Sequence, residues 1–123
     1  RARRYRKMLG GGMRQAGVLA SAGLIAINDM TARLHTDHEN AKYLANQLDA
    51  FEGVTVDHSK LAINLIFFTI HKQGFDHDGL YDKLLSKGIK INPGTNGLYR
   101  FVTHNDVDRA DIDKVLEILR PMF

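Results

Sequence analysis

Residues 63–70 read INLIFFTI and carry the strongest strand signal of the chain. Apolar side chains fill six of these eight positions, and β-branched and aromatic types dominate them. A short apolar run of this kind is typical of a strand that lies in the interior of a sheet. We therefore predict that residues 63–70 form the central strand of a small sheet.

Helices and shorter strands are predicted on both sides of this strand. In chain order they are a helix at 31–51, strands at 54–56 and 63–70, a helix at 77–86, strands at 89–91 and 98–102, and a helix that Asp108 caps and Pro121 ends. Strands that come in pairs between helices favour an α+β fold. We expect a two-layer sandwich of a small antiparallel or mixed sheet with helices on one face.

The first thirty residues have a different pattern. A predicted helix over residues 1–9 ends at Gly10-Gly11-Gly12, because three glycines in a row stop a helix. A second predicted helix extends from Met13 to about Met30, and its stretch 16–27 carries no charge on any side. A helix that is apolar all round has to be covered all round. We therefore expect a long buried helix that packs against something larger than this chain or against another subunit.

Composition limits the classes of protein. The chain has 123 residues, of which 25% are charged and 44% are hydrophobic, so it is long enough to bury a core. It has no cysteine, which excludes disulfides and a thiolate nucleophile and suits a reducing cytoplasm. No apolar run reaches the ~18–20 residues of a membrane helix. We expect a cytoplasmic protein that does not enter a membrane.

Positive charge is concentrated at the start of the chain. The net charge is +3, yet residues 1–15 hold six basic side chains and no acidic one: Arg1, Arg3, Arg4, Arg6, Lys7 and Arg14. A basic head is typical of an arm that binds nucleic acid or a membrane surface. Glycine amides between two helices can also bind an anion. The residues alone support a phosphate site and a flexible basic hinge equally.

Several residues resemble parts of catalytic or metal sites. His35 and His38 lie three residues apart on a predicted helix, but no third metal ligand is near them in the sequence. The cluster 76–78, Asp-His-Asp, lies where a helix begins, and acids there complement the helix dipole. Lys87 lies at the C-terminal end of a predicted helix, where a positive charge complements the helix dipole. We interpret both as capping features.

Arg100 is the strongest candidate for binding an anion. It lies inside an apolar strand, Leu98 to Val102, directly after a turn at residues 92–97. Side chains alternate along a strand, so Leu98, Arg100 and Val102 share one face, which favours partial burial. A buried guanidinium needs an anionic partner and can hold a carboxylate with two hydrogen bonds. The alternative is an ordinary arginine on the solvent face of an edge strand.

Two segments resemble the low-specificity L-threonine aldolases. They are residues 5–17, YRKMLGGGMRQAG, and residues 98–107, LYRFVTHNDV. The resemblance extends over essentially the whole chain but maps onto only the last third of such an enzyme. It implies the small C-terminal domain of a fold-type I enzyme that depends on pyridoxal phosphate (PLP). Residues 1–30 would then be the end of the large domain and the interdomain helix, and residues 31–123 the small domain.

The resemblance also implies roles for individual residues. Members of the family cleave L-threonine or L-allo-threonine to glycine and acetaldehyde. By position, Arg100 matches the arginine that binds the α-carboxylate of the amino-acid substrate, while Lys7 and Arg14 match basic residues that line the cofactor site. The Schiff-base lysine would precede Tyr5, outside this chain. No catalytic group is assigned within the chain, and the 123 residues alone are predicted to be inactive.

Other interpretations remain open at this point. A β-eliminating lyase or a glycine hydroxymethyltransferase-like enzyme has the same fold type and cofactor. A free-standing nucleic-acid-binding domain with a basic arm is a third possibility, although Tyr5 is the only aromatic residue in that arm. The aldolase interpretation implies a homo-oligomer, a dimer or tetramer, with no nucleic-acid partner and no metal. His104 is the only candidate general base.

Overall fold

The computed structural model describes all 123 residues, Arg1–Phe123. The chain divides into two compact units, Arg1–Leu34 and His35–Phe123. The helices are α1 (Ala2–Met8), α2 (Gly17–Ile25), α3 (Leu34–Asp49), α4 (His77–Ser86) and α5 (Arg109–Leu119), and the strands are β1 (Val54–Val56), β2 (Leu65–Ile70) and β3 (Leu98–Val102). None of these helices combines the length and the apolar character that a membrane-spanning segment needs.

The second unit is built on a three-stranded antiparallel sheet in the order β1-β2-β3. The predicted central strand is therefore central, since β2 pairs with both neighbours. Val54 is opposite Ile70 on one side of β2, and Phe68 is opposite Tyr99 on the other. The apolar run begins pairing at Leu65 rather than Ile63, because Ile63 and Asn64 lie in the preceding turn.

The two faces of the sheet have different surroundings. Along β2, Ile66, Phe68 and Ile70 are buried, whereas the alternating residues are only half-buried. Helices α3, α4 and α5 cover the buried face with an apolar stripe each: Ala41, Leu44, Ala45 and Leu48; Leu80 and Leu84; and Ile112, Leu116 and Leu119. The predicted sandwich with helices on one face is confirmed, and the opposite face of the sheet is open.

Helix ends follow the capping signals in the sequence. The Asp76 carboxylate accepts a hydrogen bond from the Gly79 amide at 2.9 Å and so caps α4. Asp108 caps α5 in a reciprocal capping box with Asp111. Gly88 follows α4 with φ +78°, the left-handed conformation that a helix-terminating glycine adopts.

The predicted strand at residues 89–91 is wrong. Its first amide, that of Ile89, donates to the Leu84 carbonyl at 2.9 Å, which continues the helix-terminating pattern instead of a ladder. The segment then passes along one side of an open groove beside β3 without pairing with it. Two isoleucines around a lysine have strand propensity, but a strand also needs a hydrogen-bonded neighbour.

The predicted helix from Met13 to Met30 is shorter than expected. Residues 14–16 form a turn in which Gln15 has φ +51°, a conformation that cannot belong to a right-handed helix. Helix α2 covers Gly17–Ile25, and Ala26–Met30 are more loosely wound as a π-helical turn. Neither α1 nor α2 contains a buried residue. Burial of this apolar helix by protein outside the chain stays a prediction.

Replacing Ile66 with alanine should destabilise the protein by about 2–5 kcal/mol, because its side chain is fully buried against three helices. Ile63 is a matched control, since it precedes the same strand and is 58% exposed. Ile63→Ala should change stability by less than about 0.5 kcal/mol. Urea unfolding followed by circular dichroism measures both, and equal losses would contradict the assignment of the buried face.

Asp57 makes stability depend on acidic pH. The Lys60 ammonium, 2.7 Å away, and then the Ser59 hydroxyl lower the pKa of Asp57 from 3.8 to about 2. Because the folded-state pKa is lowered, the ionised carboxylate stabilises the fold above pH ~4, and this contribution is lost as the pH falls toward 2. Asp57→Asn should therefore reduce the loss of stability between pH 4 and pH 2.

Urea unfolding at pH 5, 4, 3 and 2 measures this dependence. Asp82→Asn is the control, because Asp82 is exposed on α4 and makes no ion pair. The pH dependence of that variant should match the unaltered protein. The Asp57 contribution is exposed and screened, so it should shrink in 1 M salt.

Candidate functional site

Arg100 lies on the open face of the sheet, opposite Phe67 of β2. Alternation along β3 places Tyr99 in the core, whereas Leu98 and Val102 are 49% and 39% exposed. Arg100 is exposed, so the expected partial burial of its face is wrong for this structure. The reason is that α3, α4 and α5 all pack against the other face.

The guanidinium of Arg100 has no partner in the chain. It makes no ion pair and no side-chain hydrogen bond. Its neighbours on the open face are apolar, with Leu65 opposite Val102 and Phe67 opposite Arg100 itself. Asp106 and Asp111 line the same groove but form no ion pair with Arg100, so its guanidinium is not neutralised within the chain and is suited to bind an anion.

Two depressions meet at Arg100. The smaller is a cavity of about 210 Å³ that is wide open to solvent and is lined by Phe67, Asn92, Pro93, Thr95, Leu98, Tyr99 and Arg100. A larger open groove of about 530 Å³ runs along β3 between residues 88–92 and α5. Asn92 and Arg100 border both. The arginine therefore lies where a small molecule with a carboxylate has room to bind.

One pair of residues beside this cavity was not identified from the sequence as a pair. The Tyr99 hydroxyl lies 2.8 Å from Nδ1 of His77, and the two rings stack with their centroids 5.9 Å apart. Burial raises the pKa of Tyr99, and the charge of Asp78 adds to this effect. The sequence shows only a tyrosine at an inward strand position and a histidine at a helix start, 22 residues apart.

The basic segment in the first unit is organised around the triple glycine. After α1 the chain turns back sharply, and a Cβ on Gly11 would come within 2.9 Å of the Arg6 carbonyl oxygen. Gly12 lies next to the Lys7 side chain, whose Nζ would be 3.8 Å from a Cβ there. The close return of the loop thus requires a glycine at position 11, whereas a side chain at position 12 would make only an ordinary contact.

The backbone amides of this loop are already used. Those of Gly10, Gly11 and Gly12 donate to the carbonyls of Lys7, Arg6 and Gly10, respectively. An anion site built from these amides is therefore excluded in this conformation. The side chains of Lys7 and Arg14 are exposed and make no ion pair, so they are the groups that can bind an anion here.

The remaining candidates have structural roles or none that the structure shows. Asp76 caps α4, as predicted. Nδ1 of His104 accepts a hydrogen bond from the Asp106 amide at 3.2 Å and so stabilises the turn before α5. Lys87 is the C-terminal cap residue of α4 and is exposed. No group of three metal-ligating side chains is present.

Solved structures share this fold. The chain superimposes on a C-DES mutant that has glycine covalently linked to its PLP cofactor, with a TM-score of 0.62 and 19% identity over 73% of this chain and 24% of that one. Glycine decarboxylase, the P-protein of the glycine cleavage system, gives a TM-score of 0.60 and 19% identity. The match covers 73% of this chain and 21% of that one. The α+β fold predicted from the sequence is therefore one that occurs within fold-type I PLP enzymes.

Sequence comparison assigns the family. The profile of the beta-eliminating lyase family matches residues 1–71, more than half of the chain. This chain belongs to the beta-eliminating lyase family.

Curated relatives confirm the resemblance found in the sequence. The chain is 38% identical over 115 residues to the low specificity L-threonine aldolase of Escherichia coli K12, covering 94% of this chain and 32% of that protein. It is 33% identical to probable low-specificity L-threonine aldolase 2 of Arabidopsis thaliana, and the match covers 100% of this chain and 35% of that protein. The low specificity L-threonine aldolase of Saccharomyces cerevisiae is 32% identical, and the match covers 94% of this chain and 28% of that protein. The chain spans about a third of the length of these relatives.

Proposed function

We propose that this chain is the C-terminal part of a PLP-dependent aldolase that cleaves L-threonine or L-allo-threonine to glycine and acetaldehyde. The observation that carries the proposal is Arg100, an unpaired guanidinium on an open apolar sheet face beside a small cavity. It belongs to the segment 98–107 that resembles the threonine aldolases. The amino-acid substrate has a carboxylate, which is the anion that a guanidinium binds best with two hydrogen bonds.

The residues of the first unit fit a phosphate-bearing cofactor. Lys7 and Arg14 are both exposed and unpaired, and the first acidic residue of the chain is Asp29. A loop with cations and no carboxylate suits the phosphate of PLP. When bound, PLP supplies an electron sink for the pair of electrons left by the broken Cα–Cβ bond. The lysine that holds it covalently would lie outside this chain.

Arg100 would act by binding and orientation. Two parallel hydrogen bonds to the carboxylate fix the rotation of the substrate about its Cα, so that the bond to be broken has the required direction. Phe67, Leu98 and Val102 would limit water around this ion pair and so strengthen it. Arg100 cannot transfer a proton at neutral pH, so it is not the general base.

The remaining features of the proposal concern the whole protein. Residues 1–30 would end the large domain and form the interdomain helix, and residues 31–123 would be the small domain. Exposed apolar residues on α2, such as Val18, Leu19 and Ile25, support burial by that large domain or by another subunit of a homo-oligomer. The lack of cysteine supports a cytoplasmic location, and we propose no nucleic-acid partner.

The family assignment itself favours one alternative, a β-eliminating lyase. The two reactions differ in their products. Aldol cleavage converts threonine to glycine and acetaldehyde, whereas β-elimination with hydrolysis converts it to 2-oxobutanoate and ammonia. Incubation of the full-length holoenzyme with L-threonine distinguishes them, because only the proposed aldolase produces glycine and acetaldehyde in equal amounts.

Arg100→Ala in the full-length enzyme should raise the KM for L-threonine by about 10- to 100-fold, because a charged partner of the carboxylate is lost. Arg100→Lys should recover only part of the loss, since an ammonium cannot form the two parallel bonds. Arg120→Ala is the control, an exposed arginine at the end of α5. Steady-state kinetics measure all three, and an unchanged KM for Arg100→Ala would refute the carboxylate role.

Lys7→Ala and Arg14→Ala should each weaken binding of the cofactor by about tenfold, because a charge-assisted hydrogen bond to phosphate is lost. Arg3→Ala and Arg4→Ala are controls on α1 that remove the same charge at positions with no proposed contact. Titration of the apoenzyme with PLP, followed by absorbance, gives the four affinities. Equal weakening by all four variants would indicate a general charge effect and contradict the assigned contacts.

A further inference from the structure

Residues 92–97 form a loop that is held in place from three directions. Within the loop, Thr95 and Leu98 exchange two backbone hydrogen bonds of 3.0 Å. At its end, the Gly97 carbonyl accepts from the Ile70 amide at 2.9 Å. In its middle, Gly94 lies against the Tyr99 ring so closely that a Cβ there would be 2.5 Å from Cε1. The loop therefore packs against the Tyr99 ring.

The Tyr99 ring is in turn fixed by His77. Nδ1 of His77 and the tyrosine hydroxyl are 2.8 Å apart, and the two rings are nearly parallel at 18°. His77 is itself placed by the first turn of α4 and by an edge contact with Phe75, whose ring centroid is 5.1 Å away. Through this pair, the start of α4 determines where the loop lies.

The loop forms one wall of the cavity beside Arg100. Asn92, Pro93 and Thr95 line it from the loop, and Phe67 and Arg100 line it from the sheet. Tyr99 also directly precedes Arg100 on β3, so the ring that supports the loop and the guanidinium come from adjacent residues. A displaced loop would change the volume of about 210 Å³ that is available next to the guanidinium.

We propose that His77, Tyr99 and Gly94 are positioning residues that set the shape of the substrate pocket beside Arg100. This inference rests on the proposed function, because it assumes that Arg100 binds the carboxylate of an amino acid. None of the three residues is required to touch the substrate. They act through the loop at residues 92–97, so their loss should weaken substrate binding and leave the chemical step unchanged.

The test uses Tyr99→Phe and His77→Phe in the full-length holoenzyme. Each variant keeps an aromatic ring for stacking and removes the hydrogen bond between the two side chains. The KM for L-threonine should rise about three- to tenfold in each, with kcat within about twofold of the unaltered enzyme. The double variant should resemble either single one, because both changes remove the same interaction.

Three further variants separate positioning from loss of stability. Tyr43→Phe is the matched control: it removes a 2.7 Å hydrogen bond to Asp113 between α3 and α5, and KM should not change. His77→Asn keeps a polar atom near the position of Nδ1 and should restore most of the affinity. Gly94→Ala leaves both polar side chains intact but pushes the loop off the ring, so its KM should rise.

Each outcome supports or overturns the inference. Equal KM increases in Tyr43→Phe and Tyr99→Phe would overturn it, because the effect would then be one of general stability. A large fall in kcat with His77→Phe alone would also overturn it, since His77 would then act on the substrate directly. If Arg100→Ala raises KM and Tyr99→Phe does not, only the positioning role fails. If Arg100→Ala has no effect, the proposed function and this inference both fail.

Discussion

The burial of one face of β2 is the constraint on which the second unit depends. Ile66, Phe68 and Ile70 have to be removed from water, and α3, α4 and α5 cover them from the same side. The two-residue period of a strand then leaves the alternating residues on the other face. Antiparallel pairing carries this arrangement to β3, where Tyr99 opposes Phe68 inside and Arg100 opposes Phe67 outside. The position of the candidate anion-binding arginine thus follows from the core.

Much of this architecture could be predicted from the sequence, for physical reasons that differ between elements. The apolar run at 63–70 and the Asp108 cap are local signals, and both correspond to elements of the structure. The strand predicted at 89–91 failed because propensity does not supply a hydrogen-bonded neighbour. The helix predicted from Met13 failed at its start because nothing in the residue type of Gln15 indicates a positive φ.

The candidate site was only partly predictable. Arg100 is recognisable as a charge inside an apolar strand, and the same alternation places it beside Leu98 and Val102. Which face is open, however, depends on where three helices pack, and that is a property of the whole unit. The His77–Tyr99 hydrogen bond depends on the approach of α4 to β3, so no spacing in the sequence could indicate it.

The first unit shows a different relation between sequence and structure. Its glycine loop returns so closely on α1 that its amides are used internally, which leaves the exposed side chains of Lys7 and Arg14 as the candidates for binding an anion. Composition alone could not distinguish these two ways of binding an anion. The apolar side chains of α2 are exposed in this chain, and their burial by other protein stays a prediction.

The separation of the two sheet faces has a consequence for evolution and engineering. Substitutions at Leu65, Leu98 or Val102 alter the surroundings of Arg100 without opening a cavity in the core, because none of these side chains is buried among the helices. Sequence variation on the open face therefore alters the surroundings of Arg100, while the helix-covered face continues to hold the fold.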